Sequence, residues 1–211
     1  RGGMRSAPEG FLKALGEWAR ARGALLIVDE IYTSLHRCGH LWLHQAQGAE
    51  VDLVCTGKPL GGGLPVSACL GPHRVMSAWG DPDGEALHTS TFLGNPLSCA
   101  AALAQLTLLT QPEHTALAAR TSSRLDDALQ QLATRHGLST RGLGLMRALE
   151  IGDGARTLRL MRTLLEQGFL TLPCGQRAEA LSFTPPACLT DAQIEAFTTA
   201  LDAALTAELA P

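Results

Sequence analysis

The first thirty residues pass from a helical to a strand-like hydrophobic pattern. Between Phe11 and Arg22, apolar residues fall at 11, 12, 15, 18 and 19, the spacing of one helix face. Gly23 stands where a residue just past a helix C-terminus commonly turns left-handed. Ala24-Leu25-Leu26-Ile27-Val28 is an unbroken apolar run that stops at Asp29-Glu30, the pattern of a short strand covered on both faces in a parallel sheet. Val51 to Cys55 predicts a second such strand, ending at Thr56-Gly57-Lys58, and Val66 to Leu70 predicts a third. Helices are expected over 97–109 and 112–136. After Gly137 the texture changes. Short strand candidates at 145–151, 169–172 and 180–183 alternate with helices at 155–167 and 191–209, and Thr190 is placed to cap the last of these. The expectation is an α/β portion over residues 1–110 and a small α+β domain over 111–211, with the boundary near Thr110.

Composition narrows the classes. A net charge of −3 leaves no basic footprint for nucleic acid or an anionic membrane. No apolar run approaches the roughly 18 residues of a membrane span, and no apolar core of a signal peptide follows Arg1-Gly2-Gly3-Met4-Arg5. The six cysteines, at 38, 55, 69, 99, 174 and 188, form no C-x-x-C pair. That usage fits a reduced, cytoplasmic protein rather than a disulfide framework. Cys55 and Cys69 read as inert core thiols. The opening segment has neither an initiator methionine nor a strand, and so reads as part of a longer protein.

Asp29 and Lys58 carry the chemistry. Each follows a predicted parallel strand at its carboxyl end, where open α/β sheets bind their ligands. Pyridoxal 5′-phosphate needs this pair: a lysine to form a Schiff base with its aldehyde, and a carboxylate to keep its ring nitrogen protonated. On these two residues alone, a strand-end salt-bridge acid and a solvated lysine are the more ordinary description of the pattern. The Gly57-Lys58-Pro59-Leu60-Gly61-Gly62-Gly63 segment is not a phosphate-binding P-loop. There the glycines precede the lysine and Ser or Thr follows it, whereas here the glycines follow and Pro59 takes the Ser/Thr place.

Longer segments resemble the class III pyridoxal-phosphate-dependent aminotransferases, of the ornithine and ω type. Leu26 to Thr33, then Arg37-Cys38-Gly39 and Leu41-Trp42, is similar to the family's segment around the ring-nitrogen aspartate. Thr56 to Pro65 is similar to its cofactor-lysine segment, and the separation of 58 − 29 = 29 residues suits the family. His88 to Leu97 resembles the loop whose threonine bonds the cofactor phosphate of the neighbouring subunit. Arg141 to Met146 and Phe183-Thr184-Pro185-Pro186 resemble the small-domain signatures. The resemblance spans nearly the whole chain. It implies part of the fold-type I large domain, a parallel-rich sheet with helices, followed by a small α+β C-terminal domain, with the family's N-terminal half missing. It also implies a homodimer with shared active sites, and amino-group transfer between an amine or amino acid and a keto acid. Lys58 and Asp29 would be catalytic. Lys58, Asp29, Tyr32 and Thr91 would contact the cofactor, with no metal involved.

Three positions depart from the family pattern. Tyr32 stands where glutamine is usual near the cofactor's phenolic oxygen, and its hydroxyl can also donate. Ser34 replaces a glycine. Ser182 stands where an arginine commonly grips the substrate carboxylate, and serine offers no bidentate fork. Glu30 reads as a structural acid, because adjacent strand residues point opposite ways. His36, His40, His44 and His73 read as ordinary polar histidines. An aminomutase on the same fold, or a catalytically silent truncated subunit, remains an alternative.

Overall fold

The computed structural model describes residues 2–79 and 90–210, which divide into two compact units. The first comprises Ala7–Leu35 and His40–Gln111; the second comprises Arg1–Ser6, His36–Gly39 and Pro112–Pro211.

In the first unit, α1 (Phe11–Arg20) precedes β1 (Ile27–Asp29), and Gly23 turns the chain with φ +66°. Gly16 lets α1 approach closely, since a Cβ there would sit 3.0 Å from the Glu50 carbonyl oxygen and 3.4 Å from Leu26 Cδ2. The short helix α2 (Leu43–Ala46) lies between β1 and β2 (Leu53–Thr56), and a 3-10 turn, Lys58–Gly61, follows β2 directly. Next come β3 (Ala68–Leu70), α3 (His73–Met76), a second 3-10 turn at Ser77–Trp79, and α4 (Pro96–Leu109). The sheet order is β1-β2-β3. Strands β1 and β2 run parallel, pairing Asp29 with Cys55, whereas β3 runs antiparallel to β2 and pairs Cys69 with Cys55.

Two expectations change here. The third strand is not parallel, and these strands are not covered on both faces: Val28 is buried while Ile27 is 57% exposed. An apolar run alone does not specify how many faces are covered. The buried cluster in this unit joins Leu35, Leu60 and Ala102, so that α4 packs on the turn that begins at Lys58.

The second unit is an antiparallel sheet, β4-β5-β7-β6, backed by three helices. Its elements are α5 (Pro112–His136), β4 (Ser139–Leu143), β5 (Met146–Glu150), α6 (Gly154–Glu166), β6 (Leu172–Cys174), β7 (Ala180–Phe183) and α7 (Asp191–Leu209). Leu149 and Leu181 alternate with Ala148 and Ser182 along β5 and β7. The leucines face the helices and join Leu129, Leu160, Leu164 and Leu201 in the main core. The opposite face is closed by Met4 against Ala148, Cys174 and Ala180. Strand β4 has no apolar alternation and was not expected. It requires Gly142, whose φ is +118° and where a Cβ would meet the Met146 carbonyl oxygen at 2.0 Å. Thr190 caps α7 as expected, in a reciprocal capping box with Gln193.

The burial pattern makes a direct prediction. Leu181→Ala, at a fully buried position, should destabilise by about 2–5 kcal/mol. Leu170→Ala, at a position 88% exposed, should stay within about 0.5 kcal/mol. Urea unfolding of both variants checks this, and equal losses would contradict the core assignment.

Candidate active site

Parallel pairing puts the carboxyl ends of β1 and β2 at one edge of the sheet, and the chain leaves both strands there. The ladder runs one step past β1, with the Glu30 amide donating to the Cys55 carbonyl at 2.8 Å. Asp29 ends β1 with its carboxylate exposed, and its Oδ1 accepts from the Ile31 amide at 3.0 Å. This short local bond holds the carboxylate at the strand end instead of letting it extend into solvent. The side chains of Asp29 and Cys55, paired in register, share a face. Burial pushes the Cys55 thiol up, with the neighbouring Cys69 sulfur and the Asp29 charge adding to the effect.

Lys58 lies two residues past β2 and opens the 3-10 turn with φ +44°, a left-handed conformation rare for a side chain of this size. Such backbone persists only where the surroundings enforce it. Here the following residue is Pro59, and Leu60 is anchored in the cluster with Leu35 and Ala102. The Lys58 ammonium lies over the Tyr32 ring, 4.8 Å from its centroid. Tyr32 is three residues beyond Asp29, so this contact joins the loop after β1 to the loop after β2.

A second link is buried beneath the first. The Ser34 hydroxyl donates to the Glu30 carbonyl at 2.7 Å and lies 3.1 Å from the Thr56 hydroxyl. Ser34 and Thr56 are each 1% exposed. Ser34 therefore adds a tie between the first loop and the end of β2, and left-handed backbone follows at Leu35 and His36. Glu30 is structural, as expected. Its carboxylate accepts from the Leu43 and His44 amides at 2.8 and 2.7 Å and lies 2.6 Å from His44 Nδ1, capping the start of α2. Neither the Ser34–Thr56 contact nor the His44 partnership was visible in the sequence. Each joins positions at least 14 apart, and no local motif reports them.

Thr91 is exposed, in a turn just before α4; His88 and Thr89 of the same motif lie outside the described residues. In the other unit, the Arg37 guanidinium donates to the Leu145 carbonyl at 3.2 Å and the Pro185 carbonyl at 2.6 Å, joining two of the family-like segments. The Ser182 hydroxyl donates to the Leu172 carbonyl at 2.8 Å and is only 7% exposed. It is spent on the sheet edge. An apolar hollow of about 670 Å³ in that unit, lined by Phe169, Leu170, Phe183 and Phe197 among others, contains neither Asp29 nor Lys58.

Residues 1–205 match the class III aminotransferases, and the chain belongs to that family. It is 36% identical over 205 residues to the acetylornithine aminotransferase of Mycolicibacterium smegmatis, a match covering 97% of this chain and 50% of that protein. Among solved structures it resembles the ornithine aminotransferase of Toxoplasma gondii, with 33% identity and a TM-score of 0.86 over 97% of this chain and 48% of the other. It also resembles the N-acetylornithine aminotransferase of Stenotrophomonas maltophilia, with 31% identity and a TM-score of 0.81 over 97% and 53% of the two chains. The fold is thus that of a fold-type I aminotransferase portion. The chain spans about half the length of the curated relatives it matches.

The site predicts a separation of roles between two adjacent acids. Glu30→Ala strips a buried acceptor from three donors and should cost about 3 kcal/mol or more. Asp29→Ala, at an exposed position, should cost about 1 kcal/mol or less. Chemical denaturation of the two variants checks this, and a larger loss for Asp29→Ala would make Asp29 the structural acid.

Proposed function

We propose that this chain is the lysine- and aspartate-bearing part of a pyridoxal 5′-phosphate-dependent aminotransferase. It moves an amino group between an amine or amino acid and a keto acid. In this reading residues 1–110 belong to the cofactor-binding large domain and 111–211 form the small domain. The observation that carries it is the Lys58–Tyr32 contact, which holds the only lysine of the first unit's sheet edge beside the loop that starts at Asp29. Membership of the class III family and the acetylornithine and ornithine aminotransferases among its relatives support the same chemistry.

The residues suit the cofactor. Asp29 offers an exposed carboxylate able to accept from a ring N–H, and Lys58 offers a primary amine held in place by a constrained backbone. When bound, pyridoxal phosphate supplies an electron sink for the substrate's amine-bearing carbon. Asp29 holds the proton on the ring nitrogen, which keeps that sink strong. Lys58 would hold the cofactor through its amine, and its Nζ would carry a proton to and from the reacting carbon. Tyr32 lies beneath the Lys58 amine, and its hydroxyl would donate to the cofactor's phenolic oxygen. Thr91 supplies a hydroxyl to the phosphate in a partner subunit's site. A homodimer is further supported by the apolar side chains exposed around Thr91 and along α4: Phe92, Leu93, Leu97 and Leu103 are each more than 60% exposed. Among the described residues no helix is long and apolar enough to cross a membrane. The six cysteines, all free, fit a cytoplasmic setting.

Two measurements test the reading. Treatment with pyridoxal phosphate and borohydride, followed by peptide mapping, should place the pyridoxyl group on Lys58. The same mass on Lys13, the only other lysine, would overturn the assignment. In the active enzyme, Asp29→Asn should still give the Lys58 adduct, but turnover should fall by about a hundredfold or more. Near-normal turnover would leave Asp29 without a catalytic role.

A further inference from the structure

The register of the first sheet sets three side chains in one row across its strands. Asp29 pairs with Cys55, and Cys55 pairs with Cys69. Directly opposed residues on an antiparallel pair have Cα atoms about 4.5–5.5 Å apart and side chains on the same face. That separation falls within the range a disulfide spans. The Cys69 sulfur is among the groups that push the Cys55 thiol up. The sequence pattern placed both thiols in a covered core. Instead, Cys69 is exposed and Cys55 is half-buried. The segment between them, residues 56–68 (68 − 55 = 13 residues), contains Lys58 and the glycines after it.

We propose that Cys55 and Cys69 are a dithiol modification site. They close into a cross-strand disulfide when exposed to a small-molecule disulfide, and that bond clamps both ends of the loop carrying Lys58. The assignment of the bond rests on strand geometry alone and stands whether or not Lys58 binds a cofactor.

The order of events follows from exposure. The Cys69 thiolate attacks the small disulfide, forming a mixed disulfide and expelling one small thiolate. The Cys55 thiolate then attacks the Cys69 sulfur, forming the Cys55–Cys69 bond and expelling the second. The two protons lost by the protein thiols end on the two small thiols, so one small disulfide is reduced as one protein disulfide forms. Burial and the Asp29 charge disfavour the Cys55 thiolate, which makes Cys55 the resolving partner rather than the first to react.

Oxidised glutathione is a suitable probe. The treated protein is alkylated and digested with a protease that cuts after Leu60, separating the two cysteines. The expected result is a peptide pair joined through Cys55 and Cys69, the loss of two alkylatable thiols, and recovery of both with dithiothreitol. In Cys55→Ser, glutathione should accumulate on Cys69 as a stable mixed disulfide, because the resolving thiol is gone. In Cys69→Ser, Cys55 should stay alkylatable. The proposal is overturned if wild-type protein holds glutathione on Cys69 without resolving it. It is also overturned if Cys69 joins exposed Cys99 or Cys188 in place of Cys55.

Discussion

The candidate site depends on the parallel register of two short strands. Three residues of β1 pair with β2, Ile27 with Leu53 through Asp29 with Cys55. Because the strands are parallel, both chains leave the sheet at the same edge, and the loops after Asp29 and Thr56 must share that edge. Antiparallel pairing of the same residues would send Asp29 and Lys58 to opposite ends. The buried Ser34–Thr56 and Glu30–His44 contacts fix the first loop against the second strand and against α2. The Lys58–Tyr32 contact sits on that foundation.

The lysine turn is held from its other side. Leu60 packs with Leu35 and Ala102, so Ala102 of α4, more than forty residues later in the chain, helps to keep Lys58 at a positive φ. Left-handed backbone at a bulky residue carries a cost of order 1–3 kcal/mol and needs such support. Leu35 lies just after Ser34 in the chain, so the same cluster serves both loops. The site is therefore a small set of mutually braced turns on a three-stranded sheet, with Asp29 and Lys58 exposed and their supports beneath.

Much of this was legible in the sequence because its chemistry is local. Asp29 and Lys58 stand out because charged residues terminate apolar runs. Thr190 with Gln193 is a capping signature complete within four residues. The rest depended on distant contacts. No local pattern pairs Ser34 with Thr56, twenty-two residues away. Strand β4 was missed because Arg141, Gly142 and Thr140 give no alternation, and its pairing with β5 defines it instead. The direction of β3 and the exposure of Ile27 and Cys69 were also hidden, since an apolar run records neither strand direction nor which faces are covered. The long resemblance identified the family; the structure showed how Ser34, at variance with the family pattern, is absorbed as a brace.

In the proposed function, Asp29 and Lys58 serve one bound ring. The most direct measurement is a crystal structure of the active enzyme with pyridoxal phosphate. Continuous density should run from Lys58 Nζ to the cofactor, with the ring nitrogen within hydrogen-bonding distance of an Asp29 carboxylate oxygen. A cofactor bound elsewhere, or one whose ring nitrogen faces a group other than Asp29, would contradict it.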